Sequence, residues 1–380
     1  MKITGIICEY NPLHLGHARQ LTLLRQQTPD AGIVCLMSGN YVQRGAPAIF
    51  DKALRAAAAI DCGADLVLEL PVTASVSSAE NFAAEGVRIL SGFCHSLSFG
   101  AETPNRLMDT AQALLSEAFP ALLQQELASG CSFPAARQKA IETMGLDGAV
   151  LSLPNNILAI EYCKAILSQN SNMKPEPIFR TGNYHDSVPD KDAPSATSLR
   201  QLITTEKPWL GYISQSAQDH FRNAAVHTTA NGERAVLVRL RTMTDEEFEA
   251  LPYGSEGLWR KLMKNARSLP TLEQILQATK SKRYARSRLD RMVLCAFLGL
   301  SAQDLQEPVP YVRVLALNDR GRQILTTARQ SGVFPNIGEY REHPWQQLEN
   351  RCDDLYGLFA QPGPEPPGQT SNRRIYYKGE

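Results

Sequence analysis

The chain has 380 residues with 39 basic and 39 acidic side chains, 43% hydrophobic and 21% charged. At roughly 100–200 residues per domain this suggests about two domains, and the ordinary apolar balance excludes wholesale disorder. Zero net charge confines any nucleic-acid contact to a local patch, and no run of 18 apolar residues offers a membrane span.

The elements follow in chain order. Ile3 to Cys8 reads as a strand, 16–27 as a helix, Ile33 to Met37 as a second strand and 51–62 as an Ala-rich helix closed by Gly63. Asp65 to Leu70 is a third strand stopped by Pro71. A helix over 77–91 and a short strand Leu97–Gly100 come next. Helices are predicted over 105–147 and 155–169, with a further strand at Ile178–Arg180. Residues 183–194 are polar and read as a loop, and a helix starts at Ser195. Apolar strands alternating with helices predict an α/β fold, a Rossmann-like parallel sheet covered on both faces. Beyond about 210 amphipathic helices dominate, apart from a strand-like run Tyr311–Leu317. The expected division is an N-terminal α/β domain over 1–210, a mainly helical domain over 211–360 and a flexible Pro/Gly-rich tail over 361–380.

The start of the chain is too short in apolar residues for a signal peptide, so a cytoplasmic protein is expected. Eight cysteines without CxxC spacing read as reduced, scattered thiols rather than a zinc site.

The most informative segment is GIICEYNPLHLGH, residues 5–17. A strand ends at Cys8, a Pro-containing loop follows, and a helix begins near His14. Helix N-termini present unpaired amides and partial positive charge, where phosphates settle. His14 and His17 lie three apart on one face of the first turn, and Gly16 removes a side chain where a triphosphate needs close approach. Two imidazoles there can donate to phosphate oxygens as charge builds up. Simple capping of a surface helix is the competing reading.

The other blocks each keep two readings. Gly100 ends a strand at the carboxyl edge of the sheet, where adenine or ribose can lie against backbone, or it is a plain turn glycine. Asn155 and Asn156 open a helix, as caps or as nucleotide contacts. Arg180 at a strand end is a surface charge or a ligand contact. Ser195, Thr197 and Arg200 belong to SATSLR, a helix start that either caps itself or holds an anion. Asn40, Gln43, Arg44, Lys52 and Arg55 follow the second strand as solvent-facing groups or as candidates for the substrate pocket. Residues 259–292 carry ten cations against Glu273 and Asp290. With Tyr284 interleaved, Arg260, Lys261, Lys264, Lys280, Lys282, Arg283, Arg286, Arg288 and Arg291 form a candidate RNA surface.

The HxGH turn resembles that of nucleotidyltransferases related in fold to class I aminoacyl-tRNA synthetases. The match is closer still. GIICEYNPLHLGH, MSGNYVQRGAPAIFDKALRAAAAIDCGADLVLELP, SFGAE, PNNILAIEY, SATSLR and KRYARSRLDR together resemble the bacterial tRNA(Met) cytidine acetate ligases, in order, over most of residues 1–330. Leu15 departs from the polar residue usual in that motif.

The resemblance implies ATP as substrate, Mg²⁺ with it, acetyl-adenylate as intermediate, and acetyl transfer from free acetate to the wobble cytidine of elongator tRNA(Met). It implies no membrane and no obligate protein partner. His14 and His17 become catalytic. ATP contacts run through Ile7, Cys8, Glu9, Tyr10, Asn11, Pro12 and Leu13, and on through Leu15, Gly16, Ala18, Arg19 and Gln20. Gly100, Asn155 (favoured over Asn156), Arg180 and a phosphate grip at Ser195, Thr197 and Arg200 complete the set. No metal ligand from a protein side chain is implied. The alternative is a small-molecule adenylyltransferase making a nucleotide cofactor, which needs no basic patch.

Overall fold

The computed structural model describes residues 1–180, 194–281, 284–330, 344–368 and 374–379. Seven strands form the central sheet: β1 (Ile3–Cys8), β2 (Gly32–Ser38), β3 (Leu66–Leu70), β4 (Ser96–Ala101), β5 (Lys174–Phe179), β6 (Val314–Asn318) and β7 (Tyr376–Lys378). Their order is β7-β6-β3-β2-β1-β4-β5. All pairings are parallel except β3 with β6, which is antiparallel. The fold is therefore α/β, with a Rossmann-like 3-2-1-4-5 order at its heart and the order reversing beside β1.

Alternation along β2 sorts the core. Val34 and Leu36 face one layer with Phe82, Leu90 and Ile160, while Ile33, Cys35 and Met37 face the other with Leu21, Leu24, Ala58 and Leu199. The covering helices used below are α1 (Leu15–Gln27), α2 (Lys52–Asp61), α3 (Ala79–Ser91), α4 (Pro154–Ser168) and α5 (Ala196–Thr204). A second apolar cluster unites α6 (Leu258–Ala266), α7 (Arg286–Leu298) and α8 (Pro344–Tyr356) around Leu262, Met292, Phe297 and Tyr356.

Four segments differ from the sequence reading. The helical stretch read over 105–147 divides into three helices, Leu107–Leu114, Phe119–Ala128 and Phe133–Thr143, because Pro120 and Pro134 fit only a first turn. The strand at Ile178–Arg180 begins at Lys174; Pro175 and Pro177 are tolerated because β5 is an edge strand. The run Tyr311–Leu317 shortens to β6, which joins the N-terminal sheet from beyond residue 210. The end of the chain, read as a flexible tail, supplies β7 to the same sheet.

Candidate active site

Cys8 ends β1 and Gly100 lies in β4, the two strands on either side of the order reversal, and a cavity of about 490 Å³ opens at their carboxyl ends. Ile7, Cys8, Glu9, Tyr10 and Asn11 line it from the loop; His14, Gly16, His17, Arg19 and Gln20 line it from α1. Gly100, Asn155 and Arg180 complete the polar wall. Pro12, Leu13, Leu15 and Ala18 do not line it; Leu13 is instead fully buried in the core.

His14 is the N-cap of α1. Its Nδ1 accepts the Gly16 amide at 3.1 Å, and the His14 amide donates to His17 Nδ1 at 3.3 Å. Both Nδ1 atoms are thus acceptors, which leaves the proton of each neutral ring on Nε2. The rings stack at 3.7 Å between centroids. Burial, then the neighbouring Arg180, lowers the His17 pKa to about 3, and burial followed by His17 and the arginines holds His14 well below its usual value. Both rings are therefore neutral donors across the physiological range. The His14 Nε2 is buried without a partner among the described residues, a donor waiting for a ligand oxygen. Gly16 has an additional reason beyond triphosphate access: a Cβ there meets the His14 ring at 3.0 Å, so the glycine makes room for the imidazole itself.

The space above Gly100 is open, since an added Cβ finds only the Arg180 side chain at 3.7 Å. Among the described residues no packing demands a glycine at that position. The asparagine pair separates cleanly. Asn155 lines the cavity, and its Oδ1 accepts from Arg180 at 3.3 Å. Asn156 is fully buried and exchanges two bonds with Thr103. The start of α4 is capped from afar by Glu102, whose carboxylate accepts the amides of both asparagines and the Asn155 side chain. Asn156→Ala is expected to cost about 0.5–1.5 kcal/mol in denaturant melts, the net worth of its bond from the Thr103 amide. Asn155→Ala is expected to cost less stability while raising KM for ATP by about tenfold, the worth of one good hydrogen bond.

Ser195 caps α5 through the Ser198 amide and is buried. Arg200 donates to the Asn11 carbonyl at 2.7 Å and to Thr197 Oγ1, bracing the HxGH loop from outside the cavity lining. Pro194 and Ala196 line the cavity in that segment, while Ser195, Thr197 and Arg200 do not.

Of the five substrate-pocket candidates, Gln43 and Arg44 line the cavity and the other three do not. Arg55 is fully buried and spends its guanidinium on the carbonyls of Phe50, Glu9, Ser38 and Gly39, tying the ends of β1 and β2 together. Lys52 is buried between Glu69 (2.7 Å) and Asp353 (2.6 Å), with Arg313 bridging Glu69, Glu349 and Asp353. Asn40 donates to Asp353 and accepts from the Lys52 amide. These are structural ties between the sheet and α8.

Sequence reading missed the apolar wall: Phe99 from β4, Leu158 and Tyr162 from α4, and Ile178 and Phe179 from β5. Its signal was the spacing of Asn155, Leu158 and Tyr162, three and then four residues apart on one helical face.

The basic stretch is partly consumed internally. Arg286 forks onto Glu273 (2.7 Å) and pairs with Asp290, and Arg291 is buried and donates to the Gln43 carbonyl. Arg288 donates to the Tyr253 carbonyl and lies over Tyr284 at 4.7 Å. Arg260, Lys261, Lys264 and Lys280 are exposed on α6 and at the end of the helix Leu272–Thr279. Lys282 and Arg283 lie outside the described residues.

The family model described as HIGH Nucleotidyl Transferase matches residues 1–370. The "tRNA(Met) cytidine acetate ligase" of Clostridium acetobutylicum is 32% identical over 372 residues, covering 92% of each chain. That of Clostridium novyi is 36% identical over 358 residues, covering 88% of this chain and 89% of the relative. Among solved structures, apo Thermotoga maritima TmcAL superposes with a TM-score of 0.90 at 26% identity, both chains fully covered. The same protein bound with alpha-thio ATP superposes at 0.87 and 26%, again over the whole of both chains. With the HxGH turn, the cavity at the strand reversal and relatives matched nearly end to end, the chain belongs to the HIGH nucleotidyl transferase family and, within it, to the family of tRNA(Met) cytidine acetate ligases.

Proposed function

We propose that this chain joins acetate to ATP as acetyl-adenylate, releasing pyrophosphate, and passes the acetyl group to the exocyclic amine of the wobble cytidine in elongator tRNA(Met), giving N4-acetylcytidine. The observation that carries the reading is the stacked, neutral pair His14 and His17, each with its free proton on Nε2, at the N-terminus of α1 in the cavity. Such donors stabilise charge gathering on phosphate oxygens as a carboxylate attacks the α-phosphate. The apolar wall of Phe99, Leu158 and Tyr162 suits a purine, and Arg180 suits a phosphate or acetate.

Mg²⁺ enters on the triphosphate in this reading. Among the described residues no three His, Cys, Asp or Glu side chains gather to hold a metal, and phosphate oxygens with water would supply most of the ligands of such an ion. When bound it would supply charge neutralisation at the leaving pyrophosphate. The tRNA approaches over α6 and the start of α7, where Arg260, Lys261, Lys264 and Lys280 are exposed and Tyr284 and Arg288 stack. No described helix is long and apolar enough to cross a membrane. We place the reaction in the cytoplasm, with its RNA.

Labelled acetate, ATP and tRNA incubated with the protein are expected to put label into N4-acetylcytidine, read by nucleoside mass spectrometry, with AMP and pyrophosphate formed in step. Label arriving only from acetyl-CoA, or ADP and phosphate in place of AMP, overturns the reading.

A further inference from the structure

Acylating the cytosine amine releases a proton, and the cavity must contain a group able to take it. His14 and His17 are unsuited: each Nδ1 already accepts a backbone amide and each Nε2 carries hydrogen. The Cys8 thiol and the Tyr10 and Tyr162 phenols are buried, which pushes all three well above their usual pKa, so they remain protonated and accept no further proton. Arg44 and Arg180 are cations, and Gln20, Gln43 and Asn155 are amides. Glu102 lies outside the lining with both carboxylate oxygens engaged by the start of α4. Among the described lining residues, Glu9 alone is a carboxylate.

A carboxylate is out of place in a site for two anions. At 4 Å from a phosphate charge it is repelled by about 1 kcal/mol in water and about 4 kcal/mol in a protein-surface dielectric. Direct contact between Glu9 and a phosphate therefore adds nothing to affinity. We infer that Glu9 is the proton acceptor of the acetyl-transfer step, receiving the proton of the cytidine N4 amine as that nitrogen attacks the acetyl carbonyl. The inference rests on acetyl transfer to a tRNA cytidine being the reaction.

Two placements support it. Glu9 follows the last residue of β1, on the loop that leads to the imidazole pair. Its Oε1 accepts the Gln43 amide at 2.9 Å, which occupies one of the roughly four lone-pair positions of a carboxylate. Gln43 belongs to the hairpin Tyr41–Val42/Ala46–Pro47, and its carbonyl accepts from Arg291 of α7. Arg291 lies under the ring of Tyr253, whose carbonyl holds Arg288 beside Tyr284. Glu9 thus stands at the cavity end of a line of contacts that begins on the helix facing the RNA. The step balances: the N4–C bond forms, the bond from the acetyl carbon to the phosphate oxygen breaks, AMP departs with that electron pair, and the N4 proton passes to Glu9 and then to water.

Glu9→Gln tests this, because the glutamine Oε1 keeps the acceptor for the Gln43 amide and loses the base. Single-turnover transfer to tRNA is expected to fall by about 10²–10⁴-fold, while pyrophosphate release in the same preparation falls by less than about tenfold. The ratio of the two rates does not depend on how much protein is folded. Glu9→Asp, which keeps the charge one methylene short, is expected to recover part of the transfer rate. Equal losses in both half-reactions, or transfer that keeps pace with pyrophosphate release, would overturn the role of Glu9. Wild-type protein that releases pyrophosphate but never labels tRNA would instead remove the RNA reaction, and the role of Glu9 with it.

Discussion

Replacing His17 with alanine is expected to cut acetate-dependent pyrophosphate release by about 10²–10³-fold, the usual loss for one donor aimed at developing charge, while tRNA binding stays near the wild-type level. The size follows from the local geometry. The Nε2 hydrogen is fixed because Nδ1 is occupied by the His14 amide. The ring cannot become a cation until the pH approaches its pKa of about 3. Above that value the donor is fully present, so the rate of adenylation is expected to show no histidine limb between about pH 5 and 8. The variant is expected to fall by the same factor throughout that range. His17→Gln, which carries an amide nitrogen near the lost Nε2, is expected to recover part of the rate. A quench-flow measurement of pyrophosphate in wild type and both variants decides the matter; wild-type release in His17→Ala would remove His17 from the site.

The second large effect is on stability. Lys52→Met is expected to cost about 3–5 kcal/mol, because removing one partner of a buried ion cluster leaves charge uncompensated. Lys52 is 2% exposed, as is Glu69, and Asp353 is 4% exposed. Without the ammonium, Arg313 alone faces Glu69, Glu349 and Asp353. Burial already raises Glu349 to about 7 and pushes Asp353 up. In the variant these carboxyls bind protons more tightly when folded than when unfolded. A raised acid stabilises the fold below its folded pKa and loses that contribution as pH rises through it. The deficit is therefore expected to be largest near pH 8 and to shrink toward pH 5. Urea melts across that range check it, and a deficit independent of pH would remove the cluster as its cause.

These two residues also mark what a sequence makes legible. His14 and His17 were readable because the chemistry is local: a strand end, a turn and a helix start set the imidazoles three residues apart on one face. The parallel strands β1 to β4 were readable for the same reason, as apolar runs bounded by turns. Lys52, Arg55 and Asn40 follow a strand at the carboxyl edge just as Gln43 and Arg44 do, and nothing nearby in sequence distinguishes them. Their fate is set by Glu69 and by Asp353, the latter 301 residues distant, which a local reading has no means to reach. The basic stretch shows the same limit. Counting charges treats Arg286 and Arg291 like Lys264, yet one is spent on Glu273 and the other on the Gln43 carbonyl of the cavity hairpin. Glu9 illustrates the reverse case: its position was legible as part of the nucleotide loop, and its chemistry became visible only once the rest of the lining was known.

The antiparallel partner of β3 has a consequence for how the protein is made. Leu66 to Leu70 are synthesised early, but the strand that covers their open side, Val314–Asn318, follows only after a further 240 or so residues. At about 5–20 residues per second this is a delay on the order of 10–50 s. Throughout that interval the nascent sheet carries an apolar, unpaired edge, the kind of surface that recruits other chains. Helices α6 and α7 lie within that delay, while α8, which completes their apolar cluster, follows β6, so the helical body also stays unfinished while the sheet stands open. A ribosome stalled before residue 314 would hold a chain whose nucleotide turn is complete and whose flank is adhesive, which makes the span between these two strands the natural point for a chaperone to attend the nascent polypeptide.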